Sequence, residues 1–389
     1  MTRYPVSRRT FVRTAGAAAG LTALGLTESQ ARGAARPPTS PVVLARCDSY
    51  ELGDVAKCLA AMMDQLGGLE RLVVGKTVGV KVNLAGASRE PVRGLPRGRT
   101  YQVHPSVVHA LVIVLDRAGA KRIRLLENSQ FTTPLEHSLA LAGWDLNALR
   151  SLRAAVEFED TRNMGSGKHY PGVKVPWGGS LYPWYYLNHS YTSCDVYVSL
   201  AKLKNHETAG VTLSMKNNFG ITPKALYGQS THDEASTENR VGMFHMGKIA
   251  PPPGLPMEVD ATAPKRATYR VPRVIVDMVG IRPIDLAIID GIETVSGGEG
   301  PWVQGLKLQK PKLLIAGRNP VCTDAIACAC MGYAPTAGSG TGPFPGDNHL
   351  ALAAQHNLGT HNPEEIEVRG LTLQEALHPF DWEPKTRHF

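Results

Sequence analysis

The stretch that decides the fold is "HPSVVHALVIVLDRAGAKRIRLLE", residues 104–127. Pro105 stands where a helix begins and Gly119 where one ends, so the apolar run between them reads as a helix. "RIRLLE" (122–127) follows as a strand, and "TVGVKVNL" (77–84) is a short β-rich run before it. Strand, helix and strand in this order are the grammar of a parallel sheet covered by helices.

Working outward, the alternation continues. "VVLAR" (42–46) precedes a helical pattern at 53–66, and "TPLEHSLALAG" (133–143) reads as another helix. After a break the strand "CDVYVSL" (194–200) leads to a further helix. The last third holds the helix "PRVIVDMVG" (272–280), the strands "IDLAIIDGI" (284–292) and "KLLIAG" (312–317), the helices "PVCTDAIACACMG" (320–332) and "NHLALAAQHNLG" (348–359), and a short strand in "EIEVRG" (365–370). The expected fold is α/β, a mostly parallel sheet with helices on both faces. Irregular or β-rich insertions are expected at about 145–190 and 222–268, where helical periodicity is weak and Gly, Pro and aromatic residues are frequent.

The first residues carry an address. "SRRTFVR" (7–13) is a twin-arginine run, and the Ala/Gly-rich stretch after it, 14–26, is far shorter than the roughly 20 apolar residues of a membrane span. With small residues at "SQA" (29–31), residues 1–31 read as a twin-arginine signal peptide cleaved after Ala31. A basic tail before a core helix is the competing reading. The Pro-rich linker 32–41 then leads to one α/β domain, 42–389. On this reading the partners are the twin-arginine translocase during export and a small-molecule ligand. The chain is then periplasmic or extracellular, with no transmembrane helix after cleavage.

The whole chain has formal charge +8 and is 43% hydrophobic, enough for a large core. Loss of residues 1–31 removes Arg3, Arg8, Arg9, Arg13 and Glu28 and leaves a mildly basic protein. With no nucleic-acid motif, that surplus reads as a solvated surface plus an anion site, with no nucleic-acid partner. The six cysteines contain no C-x-x-C pair, so neither a zinc ribbon nor a ferredoxin-type cluster is encoded. Export permits a disulfide, with Cys47 and Cys58 as one pairing, and the spacing leaves it open.

Chemistry is expected where strands end at their carboxyl edge. "VGVKVN" puts Lys81 and Asn83 at such an end. "LAKLKNHETAGVTLSMKNNFG" (200–220) carries Lys202, Lys204 and His206 on one side if the strand continues past Leu200. A helix over 211–219 then sets Thr212 and Lys216 on one face. Its free N–H groups, with these amines and His206, suit a carboxylate or phosphate; a solvated loop is the alternative. Asp290 and Glu293 leave the next strand, followed by "SGGEGP" (296–301) with Glu299. Asp324 starts the 320–332 helix, where it favours the helix dipole. His104, His206 and His245 are candidates for proton transfer or for a divalent metal with Asp290, Glu293 or Glu299.

"LAKLKNH", "GVTLSMKNNFG", "DLAIIDGI", "GGEGP" and "NPVCTDAIACACMG", in this order and spacing, resemble the bacterial and archaeal family known as domain of unknown function 362. The resemblance runs from about Lys76 to Met331. It implies a shared site of Lys81, Asn83, His104, Lys202, Lys204, His206, Lys216, Asn217, Asp290 and Asp324. Some members carry an appended segment with iron–sulfur cysteines; this chain has no such cysteine run, so an electron-transfer role is not carried over.

Together these readings give Lys204, His206 and Asp290 catalytic roles. Substrate binding falls to Lys81, Asn83, His104, Lys202, Lys216 and Asn217, and a divalent metal, if one is used, to Asp290, Glu299 and Asp324. The expected function is an exported enzyme acting on a small anionic or carbonyl-bearing substrate. The alternatives are a non-catalytic receptor for an anion or metal, and an accessory protein that handles a cofactor for an exported oxidoreductase.

Overall fold

Eight strands share one sheet: β1 Val42–Arg46, β2 Thr77–Lys81, β3 Arg122–Glu127, β4 Ala155–Asp160, β5 Val196–Lys202, β6 Leu286–Gly291, β7 Leu313–Gly317 and β8 Val368–Gly370. Their spatial order is β8-β1-β7-β6-β5-β2-β3-β4. The computed structural model describes residues 36–86, 91–130, 132–229, 233–251 and 253–381. The proposed signal and its cleavage point lie outside these residues. Strand β7 runs antiparallel to both neighbours, and every other adjacent pair in this sheet is parallel.

A parallel sheet is covered on both faces, so its central strands are apolar on both sides. All seven residues of β5 are buried. Val196, Val198 and Leu200 pack in one core with helices Leu52–Gln65 and Pro105–Arg117. Tyr197 and Ala201 pack in the other, with helices Ala267–Ile281 and Pro320–Cys330. Among the described residues no helix is long and apolar enough to cross a membrane.

The chain steps outward through β2, β3 and β4, and then β5 returns to the opposite side of β2. That reversal is a topological switch, where connections diverge and leave a crevice beyond the carboxyl ends of the strands. Lys81 and Glu127 end β2 and β3, Lys202 ends β5, and Asp290 is next to last in β6. These four polar residues therefore start from one rim.

The stretch expected to be irregular or β-rich at 145–190 contributes the edge strand β4, which is mostly only half-buried and so lacks a continuous apolar run. Two local departures have simple causes. Strand β5 stops at Lys202, and Asn205–His206 pairs instead with Gly210–Val211 in a small antiparallel ladder. Because Val211 is spent on that ladder, the helix expected over 211–219 is confined to Ser214–Asn218. The six cysteines are all free thiols, with Cys47 and Cys58 hydrogen-bond neighbours.

Candidate functional site

A cavity of about 460 Å³ opens at the switch point. Lys81, Asn83, Lys204, His206, Lys216 and Asn217 line it, and Glu299 lies at its side. The sequence did not single out Glu127, Asn128, Arg240 and Trp302, which also line it. Glu127 ends a strand as Lys81 does, a signal open to reading. Arg240 lies in the irregular stretch 222–268, where no periodicity marks it.

The cationic groups differ in how they are held. Lys81 Nζ donates to Glu127 Oε1 at 2.7 Å and to the Val82 carbonyl at 2.6 Å. Glu127 accepts in addition from the Leu84 and Asn128 amides, so this pair is closed on itself. Lys204 Nζ donates to the carbonyls of Tyr101 and, at 3.0 Å, Glu299. The guanidinium of Arg240 donates to the carbonyls of Thr222 and Gly220. Lys216 is different. Its Nζ lies 4.5 Å from the centre of the Phe219 ring and has no hydrogen-bond acceptor among the described residues.

Burial disfavours charge here, and the cations crowd one another. Lys204 is pushed down to about 7 by burial, with Lys216 and Lys202 adding repulsion against the opposing pull of Glu299. Lys216 is also pushed down to about 7, by burial and then by Arg240 and Lys81, again opposed by Glu299. Burial takes Arg240 down to about 10. His206 is held well below its usual range by burial and by Lys216, and is neutral. Its Nδ1 accepts from the amides of Thr208 at 3.2 Å and Ala209 at 3.4 Å, while Glu299 Oε2, at 3.9 Å, is too far to accept a proton from it. The ring proton is therefore on Nε2.

Asn217 and Trp302 shape the walls. Asn217 Nδ2 donates to the Lys81 carbonyl, Ser199 Oγ and the Leu200 carbonyl, which leaves its Oδ1 to accept from Asn83 at 3.0 Å. The half-exposed Trp302 indole lies against Gly86 and Gly300, where an added Cβ would come within 2.3 Å of the ring. Only glycine admits the ring at both positions.

A match to the family described as Domain of unknown function (DUF362) covers residues 78–329. The chain belongs to this family. This DUF362 protein is 25% identical over 354 residues to a thylakoid-associated protein of Synechocystis sp., a match that takes in 88% of this chain and 90% of that protein. It is similar to the structure of the lactate racemase apoprotein from Thermoanaerobacterium thermosaccharolyticum, with 14% identity and a TM-score of 0.36 over 69% of this chain and 54% of that one. It is also similar to a Thermotoga maritima protein, with 15% identity and a TM-score of 0.33 over 68% and 56% of the two chains. The chain thus spans about half the length of these two solved structures.

The remaining residues expected in the DUF362 site lie outside the cavity. Lys202 Nζ donates to Asp290 Oδ2 at 2.8 Å, and both side chains are fully buried. The same Asp290 accepts from Tyr50 Oη at 3.0 Å and from the His104 and Ile292 amides. His104 stacks on Tyr50 at 3.7 Å and caps its own helix by accepting from the Ser106 amide. Glu293 is engaged by Arg99. Asp324 accepts from Ser214 N at 2.9 Å, Ser214 Oγ at 2.6 Å and Met215 N at 2.8 Å. The amides at the start of helix Ser214–Asn218, expected to bind an anion, are therefore occupied by a carboxylate of the protein itself. Asp290, Glu299 and Asp324 each serve different partners, and among the described residues no group of three His, Cys, Asp or Glu side chains is placed to hold a metal.

Proposed function

We propose that the chain is an exported enzyme that binds a small anionic, carbonyl-bearing substrate in this cavity. One observation carries the reading: Lys216 presents an amine with no acceptor of its own, beside Lys204 and Arg240, to an open cavity. An amine crowded by other cations and given no acceptor by the protein is costly to keep charged, so its retention points to a guest that supplies negative charge. Lys204 and Arg240 set the field, and His206 offers its Nε2–H as a hydrogen-bond donor to a developing oxyanion.

Calorimetric titration of the full chain and of Lys216→Met with acetate, phosphate and pyruvate tests this. At least tenfold weaker binding is expected for the variant at unchanged thermal unfolding, and equal binding would overturn the reading. A non-catalytic receptor would bind equally well but turn nothing over. Export rests on the twin arginines. Replacing Arg8 and Arg9 by Lys should hold the protein in the cytoplasm, as fractionation would show, and unaltered export would remove that part of the proposal.

A further inference from the structure

The helix that carries Lys216 is five residues long, and the other four residues are bolted down. Asp324 accepts from the Ser214 and Met215 amides. Asn217 is fixed by its three acceptors. Asn218 Nδ2 donates to the carbonyls of Met278 and Arg282, and its Oδ1 accepts from Tyr197 Oη at 2.6 Å. So short a helix has almost no stability of its own, and these bonds do the holding. Their joint effect is to hold the backbone of Lys216 rigid while its amine stays free. A surface that merely attracts anions has no need of such a mount.

The fully buried lysines show what a structural amine looks like. Lys81, Lys202, Lys204 and Lys224 each donate to two or more oxygens at 3.2 Å or less. In each, at least two donors are engaged by the protein itself, whereas Lys216 has no acceptor among the described residues. Beneath Lys216 lies the Phe219 ring, a face that can neither accept a strong hydrogen bond nor receive the proton. Lys204 and Arg240 line the same cavity. Neighbouring cations of this kind favour the neutral, nucleophilic amine and at the same time pair with a carboxylate.

We propose that Lys216 forms an imine with a small 2-oxo acid, its Nζ bonding to the carbonyl carbon while the adjacent carboxylate faces Lys204 and Arg240. This rests on the anion-binding reading above and specifies its substrate class and chemistry. The nitrogen lone pair forms the C–N bond as the carbonyl π pair moves to oxygen. The two hydrogens of the neutral amine then leave with that oxygen as water, and C=N replaces C=O. No oxidant, reductant or metal enters the balance. The His206 Nε2–H, lining the same cavity, stabilises the oxygen while it carries charge.

Hydride trapping separates this step from binding. The full chain is incubated with pyruvate or glyoxylate and sodium borohydride, and the adduct is located by peptide mass spectrometry. Hydride adds to the imine carbon and leaves a stable secondary amine. One adduct per chain at Lys216 is expected. It should fall more than tenfold in Lys216→Arg, which keeps a positive charge but has no primary amine to form the imine. If pyruvate binds by calorimetry but no adduct forms, or the adduct spreads over surface lysines, the imine is wrong and the anion site stands. If neither acetate nor pyruvate binds the unaltered chain, both proposals fall.

Discussion

Lys202 and Lys216 lie near the same sheet rim, the first fully buried and the second partly so, and their amines are held in opposite ways. Lys202 meets a fully buried carboxylate, a tyrosine hydroxyl and the Gly98 carbonyl, so every donor is matched. Lys216 meets an aromatic ring and an open cavity. The first arrangement holds loops together: Asp290 links β6 to Tyr50 and to the start of helix Pro105–Arg117. The second leaves unmatched charge where a guest can match it. Residue type alone does not separate scaffold from site; the number of acceptors around each amine does.

The sharpest break in this comparison is expected at Lys202. Lys202→Met strands Asp290 in the core and should cost about 3–5 kcal/mol in chemical denaturation. Lys202→Met combined with Asp290→Leu should recover most of that loss, since replacing both members of a buried pair by apolar groups is often neutral. A small loss in the single variant would mean that the pair does not support the fold.

A second test uses pH. The Lys216 and Lys204 amines lose their protons near 7 in the folded chain, so the cationic form that attracts anions fades as pH rises through that value. Acetate should bind about tenfold more weakly at pH 8 than at pH 6, following titration of one such amine. Of the surrounding groups, Lys81 is paired with Glu127, Arg240 stays charged with its value near 10, and burial keeps His206, His245 and His349 neutral over this range. Asp324, pushed up to about 7 by burial, titrates in the same range, but it sits under the Lys216 helix and gains rather than loses hold on the Ser214 and Met215 amides as pH rises. Stability runs the other way. An unfolded lysine keeps its proton to about 10.4, so between roughly 7 and that value the unfolded chain holds more protons and stability rises with pH. A flat acetate titration would place the relevant amines outside the cavity.

The smallest effect is expected at Trp302. It is half exposed, so Trp302→Ala should change unfolding by less than about 1 kcal/mol. Affinity for pyruvate should fall a few-fold as the mouth opens. An unchanged affinity would make the indole mere cover.

Much of the fold could be read in advance because period and punctuation are local. Pro105, Gly119 and the run in 122–127 mark a βα unit, and Lys81 and Asn83 follow from alternation at a strand end. The edge strand Ala155–Asp160 escaped because its solvent side dilutes the apolar signal. At the site, the residue types were visible and their employment was not. Nothing near Asp324 in sequence shows that its carboxylate closes the start of a distant helix. Nothing near Arg240 shows that it returns to the cavity wall. Those facts depend on contacts between segments far apart in the chain, and short-range patterns carry no record of them.

Asp324 follows Ser214 by 110 residues, yet it is the group that anchors the Lys216 helix. During synthesis, every residue of the cavity wall named above emerges from the ribosome before this anchor does. A chain interrupted ahead of Asp324 would have an unsecured turn in place of the mount. Ligand capture should therefore arrive late and all at once, when the domain is nearly complete, and fragments should hold nothing.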